Sequence, residues 1–174
     1  MKKLVLAAFA VFALTFINAQ EGKFGLLGGL TILSPDVEGA DADSETGFLV
    51  GAFVELGLSD NFAIQPELTY SMAGDISMIN INAIAKIGVA EGFDIHAGPK
   101  LGFAGGDDID AIDDLLGDDF TKTNFQLAVG AGYEFTENFF AQARYGFQLN
   151  DHFTGDGDGG IKINTLDITI GYRF

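Results

Sequence analysis

The sequence contains no cysteine, and only nine of its 174 residues are basic against 25 acidic ones. Without thiols there can be no disulfide and no thiolate metal site, and no lipid attachment through cysteine is expected. The shortage of positive charge sharpens along the chain. Lys2 and Lys3 precede Ala19, so from Gln20 onward seven basic residues face all 25 acids, a formal charge of −18. That balance repels nucleic acid and anionic lipid surfaces, and excludes both as expected partners. Long hydrophobic runs are also missing. The thirteen residues from Leu4 to Phe16 form an apolar run, but it is too short to span a bilayer as a helix and no stop-transfer segment follows it. With two lysines before it and Ile17-Asn18-Ala19 after it, the run has the parts of a secretory signal peptide. We therefore expect residues 1–19 to direct export and residues 20–174 to form one mature domain.

What is present is a chain both acidic and greasy: 48% hydrophobic, with 17 phenylalanines and 24 glycines. Disordered acidic chains lack such apolar content, so charge and grease must be segregated. Period-two alternation shows how. In 124–135, Phe125, Leu127, Val129, Ala131, Tyr133 and Phe135 share one face, opposite Gln126, Gly130 and Glu134. Segments 48–58, 62–72, 79–89, 93–103, 139–148 and 165–174 alternate likewise. The first segment, about 23–33, is ambiguous, because Leu27 and Leu33 fall on the side that reads as inward. Eight strands result. Three connections are tight, Ser59-Asp60-Asn61, Ala90-Glu91-Gly92 and Thr136-Glu137-Asn138, each ending in a residue suited to a left-handed hairpin bulge. The others, 34–46, 73–77, 105–122 and 150–160, are mostly long. One end of the molecule should therefore be smooth and the other decorated.

Alternation alone does not say which face meets water. The polar face mixes glycine with both charges: Glu55, Glu67, Asp94, Glu134 and Asp167, with Lys86, His96, Lys100, Arg144 and Arg173. An eight-stranded barrel has an interior just wide enough for such side chains, which can pair there. The apolar face carries aliphatics at mid-strand. Phe62, Phe93, Phe135, Phe139, Tyr172 and Phe174 lie toward the tight turns, and Phe48, Tyr70, Phe103, Phe125 and Phe147 toward the other end. Two aromatic belts around an aliphatic band suit a bilayer with two interfaces. Strands of about ten residues rising ~3.3 Å each, tilted ~40°, reach roughly 25 Å, the height of that band. The expected fold is all-β, an eight-stranded antiparallel up-and-down transmembrane β-barrel.

The opening KFGLLGGL and the closing ITIGYRF, set around these strands, resemble the porin-like outer-membrane β-barrel domains common in Bacteroidota, of OmpA/OmpX size. The resemblance covers essentially the whole mature chain. It implies a bacterial outer-membrane location, a monomer in outer-membrane lipid, and recognition by the barrel-assembly machinery through the terminal strand residues Ile170, Tyr172 and Phe174. The family shares no single activity, so a structural or interaction role that displays acidic loops outside stands beside two alternatives, a small channel and a lipid-modifying enzyme. A wide pore is disfavoured by side chains such as Lys100, Glu134 and Arg144 projecting inward.

Sixteen of the 25 acids lie in the connections 34–46, 73–77, 105–122 and 150–160, seven of them between Asp107 and Asp119. Carboxylates on a loop can ligate calcium, and Asp156 and Asp158 form the nearest approach to a calcium loop, but its spacing and closing glutamate are missing. A solvated acidic rim with no cofactor is the expectation. Gly155, Gly157 and Gly160 satisfy G-x-G-x-x-G, yet a strand follows where a phosphate-binding loop needs a helix. Ile109, Ile112, Leu115 and Leu116 recur at helical spacing, with Asp107 or Asp108 as cap and Gly117 as terminator. They predict a short helix packed on the rim. For the enzyme alternative, Ser71 and His152 are the one pair placed to attempt it, while His96 reads as a satisfied interior group.

Overall fold

Inward glycine and polar residues alternating with outward aliphatics close the chain on itself. The computed structural model describes residues 22–37, 43–117, 120–153 and 160–174. The predicted signal peptide, Asp156 and Asp158 lie outside these. Among the described residues the strands are β1 (Gly22–Val37), β2 (Glu45–Ser59), β3 (Phe62–Ala73), β4 (Ile76–Ala90), β5 (Phe93–Gly105), β6 (Thr123–Glu134), β7 (Phe139–Gln148) and β8 (Ile161–Arg173), with a helix, α1 (Asp107–Leu116), between β5 and β6. Each strand pairs antiparallel with its sequence neighbours, and β1 pairs with β8, from Gly25↔Arg173 to Val37↔Ile161. The result is the expected eight-stranded up-and-down transmembrane barrel. Closure leaves no strand edge unpaired, which is the condition for β-structure in hydrocarbon.

The three tight connections join β2–β3, β4–β5 and β6–β7. Register shifts at Gly57/Ser59 and Gly88/Ala90 mark bulges beside the first two, and Gly92 takes the left-handed conformation at φ 71°. In the third, Thr136 Oγ1 accepts the Asn138 and Phe139 amides at 3.3 and 3.0 Å. At the opposite end the strands run further than the alternation implied. Ser34–Asp36 continue β1 because they find partners on β8. The connection read as 73–77 shrinks to Gly74 and Asp75, with Gly74 at φ 55°.

Outward apolar residues are exposed around the whole wall, from Leu26, Leu30 and Val50 to Ile79, Ile81, Ile95, Leu127 and Ile168. Rings cluster toward the strand ends. Phe139 and Tyr172 meet at 4.8 Å, and Tyr172 and Phe174 at 5.2 Å, at the tight-turn end; Tyr145 and Phe147 meet at 4.6 Å, and Phe48 and Tyr70 at 6.2 Å, toward the long-loop end.

Candidate functional site: a filled lumen and a capped mouth

The barrel's inward side chains form layers. Nearest the tight turns, Lys86 Nζ lies 2.7 Å from Glu55, 3.7 Å from Glu134 and 3.9 Å from Asp94. Arg173 shares two of these acids, 2.9 Å from Glu55 and 2.5 Å from Glu134. Both cations also face the Phe140 ring, Lys86 Nζ at 5.1 Å and Arg173 Cζ at 4.5 Å from its centroid. Glu55, Asp94, Lys86 and Glu134 line an open vestibule of about 600 Å3 at this mouth.

Behind it comes an apolar layer of Leu27, Leu49, Phe53 and Phe140, with Phe53 and Phe140 edge-on at 5.5 Å. Gly25 and Gly171 make room for these rings. A Cβ on Gly171 would lie 2.0 Å from Phe140 Cζ, and one on Gly25 2.2 Å from Phe53 Cζ.

Mid-lumen, Arg144 Nη1 donates to both Glu67 oxygens at 2.7 and 2.8 Å. Its Nη2 donates to Gln142 Oε1 at 2.7 Å and its Nε to His96 Nδ1 at 3.0 Å. Gln65 and Asn82 donate to the same carboxylate at 2.6 and 3.0 Å. His96 also contacts Asp94 through Nε2. Further toward the long loops, Lys100 donates to Asp167 at 2.8 Å and to Thr165 at 3.0 Å, and Thr31 donates to Asp167 at 2.7 Å. Next stand the amides of Asn124, Gln126 and Gln148; Asn124 and Gln126 both donate to the Ile163 carbonyl. All nine charged residues read as inward thus lie on the inner face, in three groups. Among the described residues every buried charge has an opposite partner, as a low-dielectric interior requires. Between the Glu67–Arg144 and Lys100–Asp167 groups only about 20 Å3 is free, room for about one water.

The long-loop mouth is closed by grease rather than charge. Leu33, Ala73, Met78, Ala104 and Ile163 from the strands meet Ile109 of α1 and Phe120, with Ile112 and Leu116 packed against them. The ambiguity of Leu27 and Leu33 is thereby resolved, since both point inward at 5% and 0% exposure. Leu115 departs from the expected stripe and is 83% exposed. The helix cap also differs from expectation. Gly106, not Asp107 or Asp108, occupies the N-cap, at φ 112°, without a side-chain cap bond. A Cβ there would lie 1.9 Å from the Asp75 carbonyl oxygen, so close packing on the neighbouring turn overrides capping chemistry. Gly117 terminates the helix at φ 58°, as expected.

Two helix acids are occupied by a lysine: Lys122 Nζ lies 2.6 Å from Asp110 and 3.0 Å from Asp113. Their hydrogen bonds hold its ammonium above the ordinary lysine value. Ser71 is buried on the inner face of β3. His152 is fully buried and donates from Nδ1 to the Thr121 carbonyl at 2.6 Å. Among the described residues no hydrogen bond joins the two. No three-residue group of metal-ligating side chains occurs among the described residues either. Ile170, Tyr172 and Phe174 project outward from the closing strand, 61%, 37% and 73% exposed.

Sequence reasoning missed the apolar layers. Phe53 and Phe140 stand at inward positions of their strands, two residues from Glu55 and Gln142, so strand parity carried the signal. Phe120 lies beyond any strand, and nothing in the alternation pointed to it.

The sequence profile of the outer membrane protein beta-barrel domain matches residues 4–174. The chain belongs to that family and is a β-barrel protein of the bacterial outer membrane. Among solved structures it is similar to Ail, the attachment invasion locus protein of Yersinia pestis, solved in complex with the heparin analogue sucrose octasulfate: TM-score 0.55, 15% identity, over 89% of this chain and 100% of that one. Neisserial surface protein A gives a TM-score of 0.50 at 17% identity, over 88% and 98% of the two chains. A de novo designed transmembrane β-barrel gives 0.50 at 12%, over 89% and 98%. At these identities the likeness is one of fold. No curated protein matches the chain in sequence.

Proposed function

We propose that this barrel works as a scaffold for interaction at the cell surface, presenting acidic loops outside the outer membrane, and neither conducts nor turns over a substrate. The observation that carries this reading is the filled lumen: three groups of paired charges, an apolar layer within and an apolar cap across the long-loop mouth. A conducting path would have to break buried ion pairs, which is costly. In planar bilayers the protein should show no stable open state; a reproducible unitary conductance would replace this reading with the channel.

Enzymatic action on lipid is the weaker alternative. His152 spends its one ring N–H on the Thr121 carbonyl, and Ser71 faces the lumen rather than the lipid. Unchanged lipid composition with and without the protein is the expected result. The acidic rim favours a cationic or neutral partner over a polyanion. Retention on immobilised polylysine but not on heparin, abolished by salt, would fit it; retention on heparin would contradict it. The outward Ile170, Tyr172 and Phe174 are proposed as the strand read by the assembly machinery, with outer-membrane lipid as the barrel's other partner.

A further inference from the structure

One buried histidine ties two connections together at the capped mouth. Beyond α1 the chain returns through Phe120–Lys122, and this limb is tied to the segment before β8. Thr121 N–H donates to the His152 carbonyl at 2.8 Å, His152 N–H to the Ile161 carbonyl at 2.8 Å, and Phe120 bridges antiparallel to Phe153. The His152 ring is 0% exposed and stacks on the Phe120 ring at 23°, with centroids 5.6 Å apart. Its Nδ1–H is satisfied by the Thr121 carbonyl at 2.6 Å, and Nε2 has no hydrogen-bond partner among the described residues. The enclosure therefore fits a neutral imidazole with its single proton on Nδ1. A second proton would have to sit on Nε2, leaving a charged donor buried without an acceptor.

Among the described residues, the ionisable groups around it are engaged elsewhere. Asp151, on its own segment, lies 3.6 Å from Lys162 of β8. Lys122, on the facing limb, is held by Asp110 and Asp113 of α1. Phe120, Thr121 and Ile161 offer no charge.

We propose that His152 is a pH-sensitive latch: neutral, it pins the 120–122 limb and holds Phe120 in the apolar cap; protonated, it leaves its enclosure and frees Phe120 and α1 from the mouth. Burial pushes the imidazole below the usual histidine value, against the opposing pull of its Thr121 hydrogen bond and of Asp151. With the closed-state value below the unconstrained one of about 6.5, the latch has its full strength above that pH. It weakens as pH falls through that value toward the closed-state one.

Because the chain lacks cysteine, single thiols report on the cap without background. Ile109→Cys places a thiol at a position 2% exposed, and Leu115→Cys one at a position 83% exposed on the same helix. The ratio of their maleimide labelling rates in lipid nanodiscs cancels the pH dependence of thiol chemistry. From about pH 7.5 to about pH 5.5 the ratio should rise by up to about tenfold, because the lower pH lies about one unit below the unconstrained histidine value, and should stay flat when His152→Phe is added. An unchanged ratio, or an equal rise with His152→Phe, overturns the latch. Should Ile109→Cys itself loosen the cap, amide hydrogen exchange on the unsubstituted protein gives the same comparison. Protection of the Thr121 amide relative to that of Arg173, bonded to Asn138 at the other mouth, must fall in acid, and must not fall in His152→Phe. Constant protection would sink the proposal.

Discussion

Removing the Glu67 carboxylate should be among the most damaging single changes in the barrel wall. Arg144 is 7% exposed and places two of its hydrogen bonds on that carboxylate, at 2.7 and 2.8 Å. Glu67→Ala leaves a guanidinium in the lumen with only Gln142 and His96, and strands the amide donors of Gln65 and Asn82. Breaking a buried pair by deleting one partner costs about 3–5 kcal/mol, and each orphaned amide adds about 1–3 kcal/mol where it finds no water. These terms overlap, so about 4 kcal/mol is the expected total. Glu67→Gln keeps the shape and one acceptor and should cost less. The double variant Glu67→Leu/Arg144→Leu removes both charges together. It should recover the share of the loss due to the unpaired guanidinium, because two well-packed apolar side chains can match a buried pair, while the stranded amides of Gln65 and Asn82 still cost. Urea unfolding in lipid vesicles, read by heat-modifiable gel mobility, measures all three. A loss below about 1 kcal/mol for Glu67→Ala, or a double variant worse than Glu67→Ala, would refute the reasoning.

Gly171→Ala pushes a methyl group into the Phe140 ring, 2.0 Å from Cζ, and should destabilise the barrel by about 1–3 kcal/mol. Adding Phe140→Ala should abolish that increment, measured by the same unfolding assay. On the outer wall, Ile81→Arg should cost about 2–4 kcal/mol in a bilayer, whereas Leu58→Arg at the tight-turn rim should cost about 0–1 kcal/mol. Equal losses at the two sites would place the hydrocarbon band elsewhere.

Most of the fold was legible because a barrel wall repeats one rule along each strand. Glu55, Lys86 and Arg173 show why the charged interior was legible too: each sits at an inward position between outward apolar neighbours. What escaped depends on distances across the lumen, which no single strand records. Phe53 and Phe140 meet only because Gly25 and Gly171 vacate the space, and Gly106 caps α1 only because Asp75 crowds it. The latch was the least readable, since His152 and Phe120 come from different connections and meet through backbone bonds that leave no pattern in the sequence. The residues of the cap likewise looked like a rim helix and scattered strand ends until the mouth was seen closed.

The account stands on the outer wall meeting lipid and the inner wall being shut. Spin labels placed singly along 79–87, in a chain with no native cysteine, test this directly. In lipid bilayers, collision with oxygen should be high at Ile79, Ile81, Ala83, Ala85 and Ile87 and low at Asn80, Asn82, Ile84 and Lys86, an alternation of period two. If the even-numbered positions collided freely with oxygen while the odd-numbered ones were shielded, the wall would be inside out and the account would fail.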